Sequence, residues 1–244
     1  TATAQASYRY FDIAYEQTSG DALIVYEDLG ATANGTLMYY TWNGATLTGP
    51  TTLTYSGLTG YAASNARFVK LISNPKTGSD QILLVFSDAL GEAYAYVWNG
   101  SAFTIGKQIT TTNNLSTTAP VNVIAGAWEG TSGDAIVVFG DANATPGISY
   151  STSATGTGAF TADAQAFTTG FGQAYYVSAA GDPASDYAGV IALTATGPNR
   201  IARVWTGSAW EAASPAPPAA LVARASSQVD VAWQRNGGKA VFAW

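Results

Sequence analysis

The chain has 244 residues and contains neither histidine nor cysteine, so any chemistry of its own must come mainly from carboxylates and tyrosines. The commonest general base, the thiolate nucleophile and the usual ligands of zinc and iron are all missing. Catalysis by a carboxylate pair needs two acids about 5–9.5 Å apart. The first question is therefore whether the fold brings any two of the 16 acidic residues together.

One set of acids recurs at a fixed place in a repeated motif. Asp21, Asp80, Asp134 and Asp186 each end a turn-forming stretch such as Thr-Ser-Gly-Asp or Gly-Ser-Asp. Aspartate in such a context hydrogen-bonds nearby backbone amides. Because each repeat carries one such acid, the four should lie far apart, and they are interpreted as turn residues, not as a catalytic or metal-binding ring.

Asp12 and Asp230 form a second candidate site. They occupy the same position in the first strand of the first and last repeats, which become neighbours if the repeats close into a ring. Two carboxylates converging on a central channel could bind Ca²⁺ together with carbonyls and water. A solvated channel wall explains the two acids equally well. No other cofactor is expected.

A third set of acids follows the second strand of the repeats: Glu27, Asp28, Asp88 and Asp141. They precede loops rich in small residues, and loops at the rim of a scaffold commonly carry recognition residues.

Three tryptophans, Trp42, Trp98 and Trp205, precede Asn-Gly or Thr-Gly pairs. Such a ring could stack on a sugar and bind a glycan. It could equally pack across a hairpin on the large apolar residue five positions later, which is Leu47, Phe103 or Trp210. The paired occurrence favours a structural peg, with ligand binding as the alternative.

The elements that must position these side chains are short strands. In the first repeat, the strand signals are an alternating pattern of side chains over Phe11–Tyr15 and a continuous apolar run over Ala22–Tyr26. Two further strands, Thr36–Trp42 and Thr46–Leu53, lie on either side of the Asn43-Gly44 pair, which predicts a two-residue hairpin turn. Each repeat is therefore predicted to be a four-stranded antiparallel meander.

The repeats span about 11–56, 67–112, 121–168, 175–214 and 228–244, and together they predict a single all-β domain over 1–244. Four-stranded units at this spacing are typical of β-propeller blades. The pattern resembles extracellular β-propellers of the lectin and sialidase-like kind, although it carries no Asp-box, Trp-Asp or kelch diglycine motif and identifies no specific family.

The last repeat is incomplete and leaves an apolar strand at a sheet edge, where self-association is a hazard. Either Thr1–Arg9 adds a strand and closes a five-bladed ring, or the protein continues beyond this chain.

Composition narrows the functional classes. Charged residues are only 11% of the chain, the net charge is −6, and no apolar run is long enough to span a membrane. Ten dispersed basic residues argue against a nucleic-acid partner. The expected function is a non-enzymatic, extracellular or cell-surface propeller that recognises a glycan or protein or builds a surface structure. The alternative is a carbohydrate-active glycosidase or lyase that uses Asp, Glu and Tyr.

Overall fold

The computed structural model describes residues 8–28, 35–58, 64–110, 115, 122–142, 147–167, 174–194, 200–211, 229–234 and 238–243. Within these residues the chain forms seventeen β-strands and one 3-10 turn, Ala154–Gly156. The all-β prediction is confirmed.

The strands form five antiparallel sheets in chain order, which we call blades one to five. Blade one contains β1 (Phe11–Tyr15), β2 (Ala22–Tyr26), β3 (Thr36–Trp42) and β4 (Leu47–Thr54). Blade two contains β5 (Ala66–Ser73), β6 (Ile82–Asp88), β7 (Ala93–Trp98) and β8 (Phe103–Gln108). Blade three contains β9 (Ile124–Trp128), β10 (Ala135–Asp141), β11 (Gly147–Ser153) and β12 (Ala164–Phe167). Blade four contains β13 (Ala174–Gly181), β14 (Ala188–Thr194) and β15 (Arg200–Trp205), and blade five contains β16 (Asp230–Trp233) and β17 (Ala240–Ala243).

The first strands of successive blades pack side by side, β1 on β5, β5 on β9, β9 on β13 and β13 on β16. They are therefore the inner strands, and each blade extends outward from them as a simple meander. This arrangement is a β-propeller, as the repeat spacing predicts.

The hydrophobic core lies between blades and not within them, because each strand pair points alternate side chains to opposite faces of its sheet. One apolar cluster, for example, joins Leu23 and Val25 of blade one to Leu84 and Phe86 of blade two. Separate clusters fill the spaces between blades two and three, three and four, and four and five. Interior blades thus bury both faces, which explains their continuous apolar strands.

The hairpin after the third strand differs from the sequence prediction. Trp42 pairs with Leu47, so the loop has four residues rather than two, and β4 begins at Leu47. Gly44 has a positive φ of 86°, whereas Asn43 does not. Instead, the Asn43 side-chain oxygen accepts the amides of Ala45 and Thr46 at 3.1 and 2.8 Å. The two-residue turn was wrong because the asparagine acts through its side chain and not through its backbone freedom.

The N-terminal segment is described only from Tyr8 onward. Arg9 forms a parallel bridge with Phe68, and its backbone exchanges hydrogen bonds with Arg67 and Val69 of blade two. The described part of this segment thus pairs with the second blade. The rest of Thr1–Arg9, which was considered for ring closure, lies outside the described residues.

Candidate functional site

The propeller has two rims with different chemistry. We call the rim that carries the turns after the first and third strands the hairpin rim. The opposite rim, which carries the loops after the second strand and the connectors between blades, is the loop rim. Trp42, Trp98 and Trp205 lie at the hairpin rim, and Glu27, Asp88 and Asp141 lie at the loop rim.

At the hairpin rim, Trp98 and Trp205 are buried and bind the preceding blade. The Trp98 indole Nε1 donates to Glu16 Oε1 at 2.6 Å, and that of Trp205 donates to Glu129 Oε1 at 2.7 Å. A hydrogen bond between an indole and a carboxylate satisfies two buried polar groups at once. Burial raises the pKa of Glu129, while the hydrogen bonds from Ser132 and Trp205 act to lower it.

Trp42 lies at the equivalent strand position but in different surroundings. It is 39% exposed, whereas Trp98 is 2% exposed. Each of the three tryptophans nevertheless pairs with the predicted apolar residue: Trp42 with Leu47, Trp98 with Phe103 and Trp205 with Trp210. Ligand binding by Trp42, Trp98 and Trp205 stays a prediction.

The turn acids of blades two and four also bind the preceding blade. Asp80 Oδ1 accepts the amides of Thr18 and Ser19 at 2.9 and 3.0 Å, and Asp186 Oδ1 accepts those of Thr131 and Ser132 at 3.1 and 2.7 Å. Asp80 and Asp186 therefore accept hydrogen bonds from backbone amides, and these amides belong to the neighbouring repeat. Much of the polar chemistry of the hairpin rim is occupied in joining blades.

Blades two and three are joined differently from blades one and two. Here the tryptophan ends the first strand of the later blade: Trp128 Nε1 donates to the Ile72 carbonyl at 2.8 Å. Blades four and five repeat this contact, since Trp233 Nε1 donates to the Ala180 carbonyl at 2.7 Å.

At the loop rim, two carboxylates of blade two share one tyrosine. The Tyr94 hydroxyl lies 2.5 Å from Glu92 Oε2 and 3.2 Å from Asp88 Oδ2. Burial raises the pKa of Asp88 to about 6, and the nearby Glu92 charge contributes further. Asp88 also accepts the amides of Leu90 and Glu92, so it stabilises its own turn. The carboxylates are buried, which is the arrangement expected of a structural turn.

The neighbouring blades place carboxylates at the same rim. Glu27 of blade one is buried, and burial raises its pKa to about 7 although the Ala66 backbone amide donates to it. Among the described residues, its Oε2 has no hydrogen-bond partner. In blade three, Asp141 Oδ2 accepts the Ser149 hydroxyl at 2.9 Å.

Asp12 and Asp230 both act electrostatically on the side chain of Lys70. Asp12 binds the Arg9 guanidinium and accepts the Leu71 amide at 2.8 Å, while Asp230 accepts the Ser178 hydroxyl at 2.7 Å. Burial lowers the pKa of Lys70, as does Arg9, and the charges of Asp230 and Asp12 both act to raise it. In the part of the chain that the structure describes, no three His, Cys, Asp or Glu side chains cluster as metal ligands would. Ca²⁺ binding by Asp12 and Asp230 stays a prediction.

Sequence reasoning missed two features of these sites. The Asp88–Glu92–Tyr94 cluster forms within one blade, and of its three residues only Asp88 was singled out from the sequence. Its signal was the pair Glu92 and Tyr94, two residues apart and therefore on one face of a strand. The role of Glu16 and Glu129 was also missed, although each directly follows a first strand and precedes Thr-Ser-Gly-Asp within three residues.

The fold places the chain in the β-propeller class, which has solved representatives. The chain is similar to a lectin from Burkholderia pseudomallei, with a TM-score of 0.64 and 15% identity over 92% of this chain and 59% of that one. It is also similar to the SapL1 lectin in complex with alpha methyl fucoside, with a TM-score of 0.54 and 16% identity over 97% and 72% of the two chains. A variant of the Aleuria aurantia lectin in complex with alpha-methyl-L-fucoside gives a TM-score of 0.52 and 11% identity over 90% and 66%.

The chain thus spans about three fifths of the length of the Burkholderia lectin. No protein-family model and no curated protein matches its sequence. Among the described residues, no helix has the length and apolar character needed to cross a membrane.

Proposed function

We propose that this chain is a non-enzymatic recognition module of the β-propeller fold, acting outside the cell, and that it binds a glycan at the loop rim. The observation that carries the proposal is Glu27, a buried carboxylate at this rim whose Oε2 has no hydrogen-bond partner among the described residues. Asp88 and Asp141 of the next two blades lie at the same rim but are already hydrogen-bonded. Carboxylate oxygens accept hydrogen bonds from hydroxyl groups, which sugars supply in quantity.

Two further features support the loop rim as the binding surface. The hairpin rim uses Glu16, Asp80, Glu129 and Asp186 to join blades, so these groups are already paired. Glu27 instead keeps one oxygen without a partner among the described residues. Buried polar groups normally have a partner, so this oxygen is the atom of the rim that a ligand hydroxyl would satisfy.

The experiment is a glycan array on the full chain, followed by calorimetric titration of the best binder. At pH 8, above the Glu27 pKa of about 7, Glu27→Gln should weaken binding at least about tenfold, because a charge-assisted hydrogen bond is replaced by a neutral one. Thr46→Ala, on the hairpin rim, is the matched control and should bind as the parent does.

The proposal fails if the parent binds no glycan, or if Thr46→Ala and Glu27→Gln weaken binding equally. If the chain binds a surface protein and no glycan, the recognition role is supported but the proposal that its ligand is a glycan is wrong. Release of cleaved sugar by the purified chain would favour the alternative, a carbohydrate-active enzyme using Asp88, Glu92 and Tyr94.

A further inference from the structure

Charged side chains are scarce in this protein, and four of them meet at the central channel that the inner strands enclose. Lys70 lies on β5, Asp12 on β1 and Asp230 on β16, while Arg9 precedes β1. The charges of Arg9, Asp230 and Asp12 all act on Lys70. Because β16 packs on β13 of blade four, Asp230 acts on Lys70 of blade two across the channel.

The amine of Lys70 differs from those of the other three lysines, Lys76, Lys107 and Lys239. The Nζ atoms of Lys76 and Lys107 donate to backbone carbonyls at 2.7 and 3.1 Å, and Lys239 is exposed. Lys70 is only partly exposed, and its Nζ has no hydrogen-bond or ion-pair partner among the described residues. Its ammonium group therefore has neither a direct acceptor nor full access to water.

The surroundings of Lys70 favour the neutral amine. Burial lowers the pKa of Lys70 and the Arg9 guanidinium lowers it further, while the charges of Asp230 and Asp12 act to raise it. The neutral amine is the nucleophilic form, so a lysine with a lowered pKa reacts more readily near neutral pH. Burial also lowers the pKa of Lys107, but its ammonium group donates to backbone carbonyls, which favour the charged form.

Asp230 can exchange protons with this amine. It uses one oxygen, Oδ1, to accept the Ser178 hydroxyl and the Val231 amide at 2.7 and 2.9 Å. Within the described part of the chain no hydrogen bond reaches its other oxygen, Oδ2, and the residue is exposed. Asp12, by contrast, uses one oxygen for a guanidinium and the other for a backbone amide. Asp230 is therefore the carboxylate that is available to Lys70, directly or through one water.

We propose that Lys70 captures small neutral aldehydes in the central channel as an imine. The amine nitrogen forms a bond to the carbonyl carbon, and the carbonyl oxygen leaves as water with the two hydrogens of the amine. Asp230 Oδ2 carries these hydrogens as protons from the nitrogen to the oxygen, so the step is balanced without an oxidant or a reductant. Charged aldehydes are disfavoured because two carboxylates and a guanidinium surround the amine.

Reductive trapping tests the proposal on the full chain. The probe is glycolaldehyde, cyanoborohydride reduces each imine to a stable amine, and peptide mapping by mass spectrometry gives the rate at every lysine. At pH 7, Lys70 should be modified at least about fivefold faster than the exposed Lys239, because the neutral fraction of an amine rises tenfold for each unit by which its pKa falls. A rate at Lys70 no higher than at Lys239 overturns the proposal. So does a rate at Lys107 that equals the rate at Lys70, because burial alone would then explain the reactivity.

The same reaction in concentrated urea separates the fold from the local sequence. In the unfolded chain the four lysines lose their different surroundings and should react within about twofold of each other. If Lys70 keeps its advantage there, the neighbouring residues in sequence are the cause and the channel has no part in it.

A variant of Asp230 tests the proton transfer. Asp230→Asn keeps an oxygen for the Ser178 hydroxyl and removes the group that carries the protons. The maximum rate at Lys70 over a pH profile should fall at least about tenfold, as expected for the loss of a general acid–base group. The rate at Lys239 in the same sample should not change. Asp163→Asn is the matched control, because Asp163 acts on Lys107 and should leave the profile of Lys70 unchanged. An unchanged maximum in Asp230→Asn overturns the role given to this carboxylate.

Discussion

At the scale of single residues, the surroundings of a tryptophan decide its role more than its place in a motif does. Trp42 and Trp98 both end a third strand and both pair with an apolar residue across a hairpin. Only Trp98 lies between two blades, where its indole contacts Glu16 and its ring packs edge-on against Tyr39 at 5.6 Å.

We predict that Trp98→Ala and Trp42→Ala differ strongly in stability. Trp98→Ala should lower the free energy of unfolding by about 3–5 kcal/mol, because it opens a cavity in the core and leaves Glu16 without its donor. Trp42→Ala should cost about 1 kcal/mol or less, as expected for a side chain that keeps much of its surface in water. Urea denaturation measures both, and equal losses would contradict this difference.

At the scale of elements, glycines set how closely two inner strands approach. A Cβ on Gly181 of β13 would lie 1.9 Å from the backbone carbonyl oxygen of Trp128 in β9. Neither backbone can move aside as a flexible side chain could. This position therefore needs glycine because the two strands lie so close together, and not because of an unusual backbone conformation.

We predict that Gly181→Ala lowers the free energy of unfolding by at least about 3 kcal/mol, at or beyond the upper end of ordinary overpacking. Gly57→Ala is the matched control, because a Cβ there meets nothing within 4 Å. It should change stability by less than about 0.5 kcal/mol. Thermal melts of the two variants check the pair, and similar melting temperatures would refute the close-approach argument.

Strand positions were predictable from sequence, and side-chain partners were not. β1, β2 and β3 match the predicted ranges because their signals, alternation and apolar runs, are local. The Trp98–Glu16 bond joins residues far apart in the chain, so its existence depends on how one blade sits on the next. The hairpin at Asn43 shows the limit within an element, since the same Asn-Gly pair permits more than one loop length.

At the scale of the whole molecule, buried acids make stability depend on pH. The pKa of Glu27 rises to about 7 and that of Asp88 to about 6, in both cases chiefly through burial. A carboxyl whose pKa is higher in the folded state binds more protons there than in the unfolded chain, so unfolding becomes easier as pH rises through that pKa.

We predict that the melting temperature increases as pH falls from 8 to 5. Each acid should contribute on the order of 1 kcal/mol, or about 2–4 °C for a chain of this size. Differential scanning calorimetry across this range measures the slope. Glu27→Gln and Asp88→Asn together should flatten it, while a parent that loses stability on acidification over this range would contradict the assignment.

The alternation of junctions also predicts how the chain tolerates shortening. Removing blades two and three together brings blade four onto blade one, so that Trp205 can donate to Glu16 as Trp98 does. Removing blade two alone brings blade three onto blade one. We expect cooperative unfolding to survive the double removal and to be lost, or lowered by at least about 3 kcal/mol, in the single one, because the latter leaves Glu16 buried without its donor. Urea unfolding of the two shortened chains compares them directly.

The two kinds of indole contact also have a consequence for how a gene encoding this propeller can lengthen. Copying blade two alone would place a second Trp98 against a blade that has Asn74 where blade one has Glu16, whereas copying a neighbouring pair of blades reproduces both contacts. Duplication and recombination are thus expected to act on pairs of neighbouring blades.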